Sequence, residues 1–305
     1  MTIFEIFKTK ARNKTANIGI GLGDNEEHNT KILSASIEFL KEYDSTIFIF
    51  GNEDAIEQIK SHRTPEIVHA LNPSLKYVLS IGNPRIPTKN INFINSKEPE
   101  QEIVNFLKNN TIDAIVRGCI SSNKFLNNLK HDLGISEITR LALLETYDGY
   151  QFFYGPIGID ECNDIQSKIS FVEKAIKQLK YLEIEPKISV LSGGRIGDVG
   201  RNSQVDKSIN FAEELVDYFK NQYLNLTINH DEILIENSIQ NKSNVIIAPD
   251  GISGNLIYRT LVHLGGGKAY GAIYMDIDRV IIDTSRVGNI SEIQGALLLA
   301  LALTS

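Results

Sequence analysis

The feature that most constrains this chain is a repeated alternation. Short runs rich in β-branched and aromatic residues trade places with longer segments of helical period. NIGIGLG (17–23), TIFIFG (46–51), KYVLSIG (76–82) and DAIVRG (113–118) read as buried strands. Between them, residues 30–42 place Ile32, Leu33, Ile37, Phe39 and Leu40 mostly on one helical stripe. EDAIEQIKSH follows a capping Asn52, while 99–110 and 121–134 read as helices, the second ending on Gly134. This is the βαβ signature, and it predicts a largely parallel sheet with helices on both faces. The middle departs from it: 138–146 and 150–157 predict two strands around the hairpin turn Tyr147-Asp148-Gly149. A long helix over 163–182 follows, and βα units then resume at 187–194, 226–230 and 244–250. The end predicts strands over 269–275 and 279–285 and a helix over 290–304. The expected architecture is a discontinuous two-domain α/β/α sandwich with a cleft between domains. Residues 1–140 plus 265–305 form one domain and 141–264 the other.

Composition narrows the function classes. The net charge of −7 makes the chain a poor general nucleic-acid binder. Two cysteines, Cys119 and Cys162, are too few and too far apart for a disulfide scaffold or a Cys-rich zinc site, which fits a reduced, cytoplasmic setting. The N-terminal MTIFEIFKTKARNKT is charged throughout, so no secretory signal is expected. The most apolar stretch, 296–303, is too short to span a bilayer and reads as a buried helix; no membrane partner is expected. None of the six histidines forms H-x-x-x-H or H-E-x-x-H, and no metal site is expected. No G-x-S-x-G elbow is present.

Several glycine-rich strand ends are candidates for chemistry. Gly19-x-Gly21-x-Gly23-Asp24 resembles a dinucleotide loop but lacks the last glycine, and reads better as a strand-to-helix turn. Leu264–Lys268 resembles a P-loop only superficially and reads as a helix C-terminal glycine cluster. Ser192-Gly193-Gly194-Arg195-Ile196-Gly197-Asp198 leaves a strand in a turn whose N–H groups can converge on an anion, with Arg195 and Arg201 adding guanidinium contacts. A solvated turn in which Arg195 and Asp198 pair with each other is the alternative. Asp250 to Asn255 also lies between strand and helix. There Gly254 allows close approach and Asn255 offers donor and acceptor, or Asp250 and Ser253 simply cap the helix. Asp283-Thr284-Ser285-Arg286 ends the last strand before the final helix, and suits a phosphate or carboxylate as well as an N-cap with a surface ion pair. Cys119 follows Gly118 after a strand and reads as a buried small hydrophobe, with a reactive thiol as the alternative.

These C-terminal residues resemble the phosphate acetyltransferase and butyryltransferase family. PDGISGNLIYRTLVHLGGGKAYGAIYMDIDRVIIDTSR (249–286) is similar to the family's P-D-x-x-x-G-N-I-x-Y-K segment running on to N-D-L-S-R. SVLSGGRIGD (189–198) sits at the family's V-x-L-L-S-x-S-T-K-G turn, and IDAIVRGCISS (112–122) is similar to A-D-A-x-V-x-G-A-x-x-T. The resemblance implies a two-domain fold like that of isocitrate dehydrogenase, usually a homodimer, moving an acyl group between phosphate and the thiol of coenzyme A in the cleft. By resemblance, Ser285 and Arg286 bind the acyl phosphate. Glu292 stands where the family has an aspartate that helps deprotonate the thiol, and His263 stands where it has an arginine. The F-x-D-x-A strand becomes Phe153-Tyr154-Gly155-Pro156. SGGRIGDVGR (192–201) and GPIGIDE (155–161) look still more like the methanogenesis marker protein 4 group, also called methyltransferase subunit X. Richness in Ile, Asn and Lys with no Trp accords with an AT-rich archaeal genome.

The expected function is therefore a transferase. An acyl or methyl group would pass between an anionic donor and a thiol co-substrate, coenzyme A or another thiol coenzyme, with no tightly bound cofactor. Glu292 and Ser285 are the expected catalytic residues. Arg286, Ser192, Gly193, Gly194, Arg195, Asp198, Asp250, Gly254, Asn255 and His263 are the expected anion-binding set. No D-x-H-x-x-G cobalamin motif is present, so methyl transfer predicts a separate corrinoid partner subunit. The contrasting expectation is a non-catalytic subunit that senses a phosphorylated metabolite or coenzyme. A dehydrogenase of the related fold ranks last, because the aspartate cluster for a Mg²⁺-bound hydroxy acid is missing.

Overall fold

The computed structural model describes residues 1–61 and 90–305. The strand expected at 76–82 lies outside the described residues. The chain divides into two compact units, 7–137 with 277–305, and 1–6 with 138–276.

The first unit is built on parallel strands in the order β3 (Ile91–Asn95), β2 (Thr46–Gly51), β1 (Asn17–Gly21), β4 (Ala114–Val116) and β11 (Val280–Asp283). Ile18 and Ile20 of β1 are fully buried, and Gly19 and Gly21 alternate with them. A Cβ at Gly19 would meet Ile112 Cδ1 at 2.6 Å, and one at Gly21 would meet Ile120 Cγ2 at 2.5 Å. These glycines therefore let neighbouring side chains close over β1. Helix α2 (Glu26–Glu42) starts earlier than its apolar stripe because Asn25 caps it, Oδ1 accepting the His28 N–H at 3.0 Å. α3 (Glu53–Ser61) and α5 (Ser122–Leu133) follow their strands as the alternation predicts, and α4 (Pro99–Lys108) follows β3. Gly134 ends α5 at φ 65°, the left-handed cap expected there. The last helix, α10 (Ile290–Leu303), packs on α2 with its apolar run buried.

The second unit holds the hairpin. β5 (Arg140–Glu145) and β6 (Gln151–Gly155) pair antiparallel, and Gly149 in the turn has φ 91°. The order is β10 (Lys268–Tyr274), β5, β6, β9 (Val245–Ile247), β7 (Lys187–Val190), β8 (Thr227–His230), parallel from β6 onward. β10 runs antiparallel to β5, which is why residues 268–276 belong with 138–264. Tyr270 and Lys268 of β10 and Gln151 of β6 all donate to the Glu145 carboxylate, at 2.6–2.7 Å. The connecting helices are α6 (Ile165–Tyr181), α7 (Ser203–Gln222), α8 (Ile235–Gln240) and α9 (Gly251–His263). Leu144, Phe152, Tyr154, Ile246, Tyr258 and Val262 centre the core.

The two-domain α/β class read from the sequence is the class found. Two elements were not expected: α1 (Ile3–Ala11) and β3. Among the described residues, no helix is long and apolar enough to cross a membrane.

Candidate active site

In the first unit, the loops after β4 and β11 are tied together by one side chain. Arg117, 5% exposed, donates from Nε to Asp283 Oδ1, from Nη1 to Ile120 O at 3.0 Å, and from Nη2 to Thr284 O. Thr284 Oγ1 donates to Gly118 O at 3.2 Å, and the Thr284 N–H donates to Asp283 Oδ1 at 3.0 Å. An apolar run ending in arginine carries this signal in sequence, but DAIVRG reads only as a strand. The clamp fixes the backbone from which Ser285 and Arg286 emerge.

Ser285 N–H donates to Glu292 Oε1 at 2.7 Å, joining the strand end to the first turn of α10. Glu292 is 3% exposed. Its second oxygen lies over Gly288, where a Cβ would meet Oε2 at 2.5 Å. Ser285 Oγ accepts the Val287 N–H at 3.3 Å, and Arg286 is exposed. The structure thus brings together Ser285, Arg286 and Glu292. It also brings in Cys119, whose thiol lies 4.0 Å from Arg286 O. Burial pushes that thiol up to about 11, even though Arg117 and Arg286 pull it down. Cys119 is a poor nucleophile as it stands. The Gly23 loop lies against it, held by buried Asn29, whose amide donates to Gly23 O at 2.8 Å and accepts from Gly23 N at 3.0 Å.

The second unit carries the remaining candidates. The 192–198 turn is braced internally. Gly193 N–H donates to Ser208 Oγ at 2.9 Å, Arg195 N–H to Asp198 Oδ2 at 3.0 Å, and Ile196 N–H to Glu232 Oε1 at 3.2 Å. These three amides are occupied by the chain itself, so a cradle built from the turn's N–H groups is not what they form. Asp198 pairs with the Arg201 side chain rather than that of Arg195. The Arg195 N–H and the Arg201 guanidinium hold the Asp198 carboxyl below its usual range. Arg195 is exposed. Ser192 is buried; its hydroxyl donates to Gly194 O at 2.8 Å and sits 2.8 Å from His230 Nε2. Burial lowers the His230 pKa.

At the head of α9, Asp250 Oδ1 accepts the Ser253 N–H at 2.8 Å, the capping alternative. Gly254 does permit a close approach, but of the chain itself: a Cβ there would meet Pro156 O at 1.9 Å. Asn255 donates to Ile157 O at 2.9 Å. Both residues therefore anchor the 155–158 segment. Buried Lys168 donates to Pro249 O on the other side. Glu161, at the end of GPIGIDE, accepts from Arg140 Nε at 2.7 Å and is buried with it. Burial raises the Glu161 carboxyl against the pull of Arg140. His263, in the last turn of α9, stands edge-on to Tyr258, and its Nε2 is buried. Burial first, then Arg259, lowers its pKa. A neutral imidazole thus stands where the resemblance puts an arginine.

The model of the phosphate acetyl/butaryl transferase family matches residues 26–301, and the chain belongs to that family. A Methanosarcina mazei protein named "Putative methyltransferase mtx subunit X" is 43% identical over 213 residues, 69% of this chain and 74% of its own length. The fold is that of a Streptococcus pyogenes phosphotransacetylase, with a TM-score of 0.67 at 16% identity over 98% of this chain and 97% of that one. A branched-chain phosphotransacylase from Enterococcus faecalis gives a TM-score of 0.64 at 17% identity, over 94% and 98%.

Proposed function

We propose that the chain is a transferase that moves an acyl or methyl group between an anionic donor and a thiol co-substrate, working as a subunit of methanogen methyl-transfer metabolism. The observation that carries this is the Ser285–Glu292 bond at the head of α10, with the exposed Arg286 beside it. Arg286 supplies a positive fork for a phosphate or carboxylate, assisted by the helix N-terminus. Ser285 orients the donor through its hydroxyl. Glu292 takes the proton of the incoming thiol, as a base within reach of a substrate held by Ser285 and Arg286. With an acyl phosphate, the thiolate attacks the carbonyl carbon, the C–O bond to phosphate breaks, and phosphate leaves with the electron pair toward Arg286. With a methyl donor, the thiolate takes the methyl carbon and the donor keeps the bonding pair. Such a donor would be carried by a corrinoid partner subunit; the M. mazei relative is named as one subunit of a methyltransferase. Coenzyme A or coenzyme M is the thiol to test.

A second reading, a non-catalytic sensor of a phosphorylated metabolite or coenzyme, draws on the second unit. His263 is neutral, and the 192–198 amides are occupied. Thiol consumption by the purified protein separates the two readings, with acyl phosphates and methyl donors offered in turn. Turnover lost in Arg286→Ala supports the transferase. Ligand binding without any turnover, lost in the same variant, supports the sensor.

A further inference from the structure

Ser285 and Glu292 stand beyond the carboxyl end of β11, at one edge of the first unit's parallel sheet. A pocket lies at the other edge of that sheet, where β1 and β2 begin. β1, five residues long, separates the two edges by about 17 Å. The pocket encloses about 550 Å³, within the range of small-molecule sites. Two segments of chain build it. The first runs out of α1, where Ile3, Phe7 and Ala11 recur every fourth residue and are buried. That apolar stripe fixes the helix and leaves Lys8 and Arg12, also four apart, to line the pocket. Asn13 at φ 65° then turns the chain, and Lys14 joins the same wall. The second segment is Glu42-Tyr43-Asp44, between α2 and β2.

The lining defines what fits. Lys14 is held in place: its ammonium donates to Ala302 O at 3.0 Å and to Thr304 O at the end of α10, which leaves one of its three N–H donors for a ligand. Burial first, then the charge of Lys10, lowers its pKa, and an anion beside it would offset both. Arg12 makes no side-chain hydrogen bond or ion pair among the described residues, and neither do Glu42 and Asp44. Charges of both signs therefore face one pocket without pairing with each other. Tyr43, half-buried, is fixed by stacking on Phe39, with ring centroids 4.9 Å apart. Cations alone would suit a bare phosphate, but the two carboxylates repel one, and it would fill only a small part of the space. The lining matches a ligand with phosphoryl oxygens at one end, a flat ring beside Tyr43, and hydroxyl or amino donors for Glu42 and Asp44. We propose that this pocket binds a nucleoside phosphate, with its phosphoryl group on Arg12, Lys14 and Lys8 and its base against Tyr43. The site is separate from the transfer chemistry at the opposite edge.

Isothermal titration calorimetry on the full chain tests this, with circular dichroism confirming the fold of each variant. The probes are ADP, GDP, CDP and UDP, beside inorganic phosphate and adenosine. At least one diphosphate should bind, and more tightly than inorganic phosphate or adenosine. Arg12→Ala should weaken that binding about tenfold or more, as loss of a charge-assisted bond does. Tyr43→Leu should weaken it about fivefold or more by removing the stacking ring. Arg12 is exposed, so Arg12→Ala decides the matter alone should Tyr43→Leu not fold. Arg286→Ala should leave the affinity unchanged, which separates this pocket from the site of the proposed transferase. Silence from all four diphosphates would overturn the proposal. So would inorganic phosphate binding as tightly as they do, an affinity indifferent to Arg12→Ala, or binding lost in Arg286→Ala.

Discussion

Arg117 shows how much of a site can depend on one buried side chain. Its guanidinium bonds Asp283, Ile120 O and Thr284 O, so removing it leaves a buried carboxylate and two carbonyls to be satisfied otherwise. Breaking one side of a buried ion pair costs about 3–5 kcal/mol. Arg117→Met should lower the urea midpoint accordingly; an unchanged midpoint would remove the clamp from the account. Cys119 gives a chemical readout of the same neighbourhood. With its thiol held up to about 11, labelling by iodoacetamide should be slow at neutral pH and rise about tenfold per pH unit until it levels near that value. Mass spectrometry of the Cys119 peptide measures this directly, and a plateau by pH 9 would contradict it. Gly288 tests the carboxylate's placement. In Gly288→Ala the new methyl would meet Glu292 Oε2, so turnover should fall while the fold survives.

Among the elements, the segment 155–158 and the head of α9 form one interlocked piece. Gly254→Ala puts a methyl 1.9 Å from Pro156 O, and overpacking of this kind costs roughly 1–3 kcal/mol or more. Gly197→Ala meets nothing within 4 Å and should be nearly neutral by the same thermal-unfolding measurement. Equal effects would show that the interlock is not what makes Gly254 necessary. This pair also marks what the sequence could disclose. The alternation of strands and helices, the hairpin at 147–149 and the Gly134 cap were legible because each depends on residues close in the chain. Strand β3 was not, because INFIN mixes apolar and polar positions in five residues and only pairing with β2 makes it a strand. The head of α9 was legible as a candidate, and capping by Asp250 was one of its two readings. What Gly254 and Asn255 touch was not legible, because it lies about a hundred residues away. Arg117 was missed for the same reason: Asp283 lies 166 residues distant.

For the whole molecule, the histidines set a pH dependence. His28, His230 and His263 all have folded pKa values below the ordinary 6.5, chiefly from burial. The unfolded chain therefore binds their protons first as pH falls. Their contribution to stability is present above about pH 6.5 and is lost on acidification toward the lower folded values. The urea midpoint should be lower at pH 5.5 than at 7.5, with His263→Gln flattening part of the slope; a midpoint that rises on acidification would reverse this account. The chain belongs to the phosphate acetyl/butaryl transferase family, and burial lowers the pKa of His263, which stands where the resemblance puts an arginine. The most direct test of the central claim is thiol consumption by the purified protein, with coenzyme A and coenzyme M each offered acyl phosphates and methyl donors, beside Arg286→Ala. Turnover with one of these pairs, abolished in the variant, is the predicted result. Silence across every pair in a folded protein, or turnover that Arg286→Ala leaves intact, would contradict it.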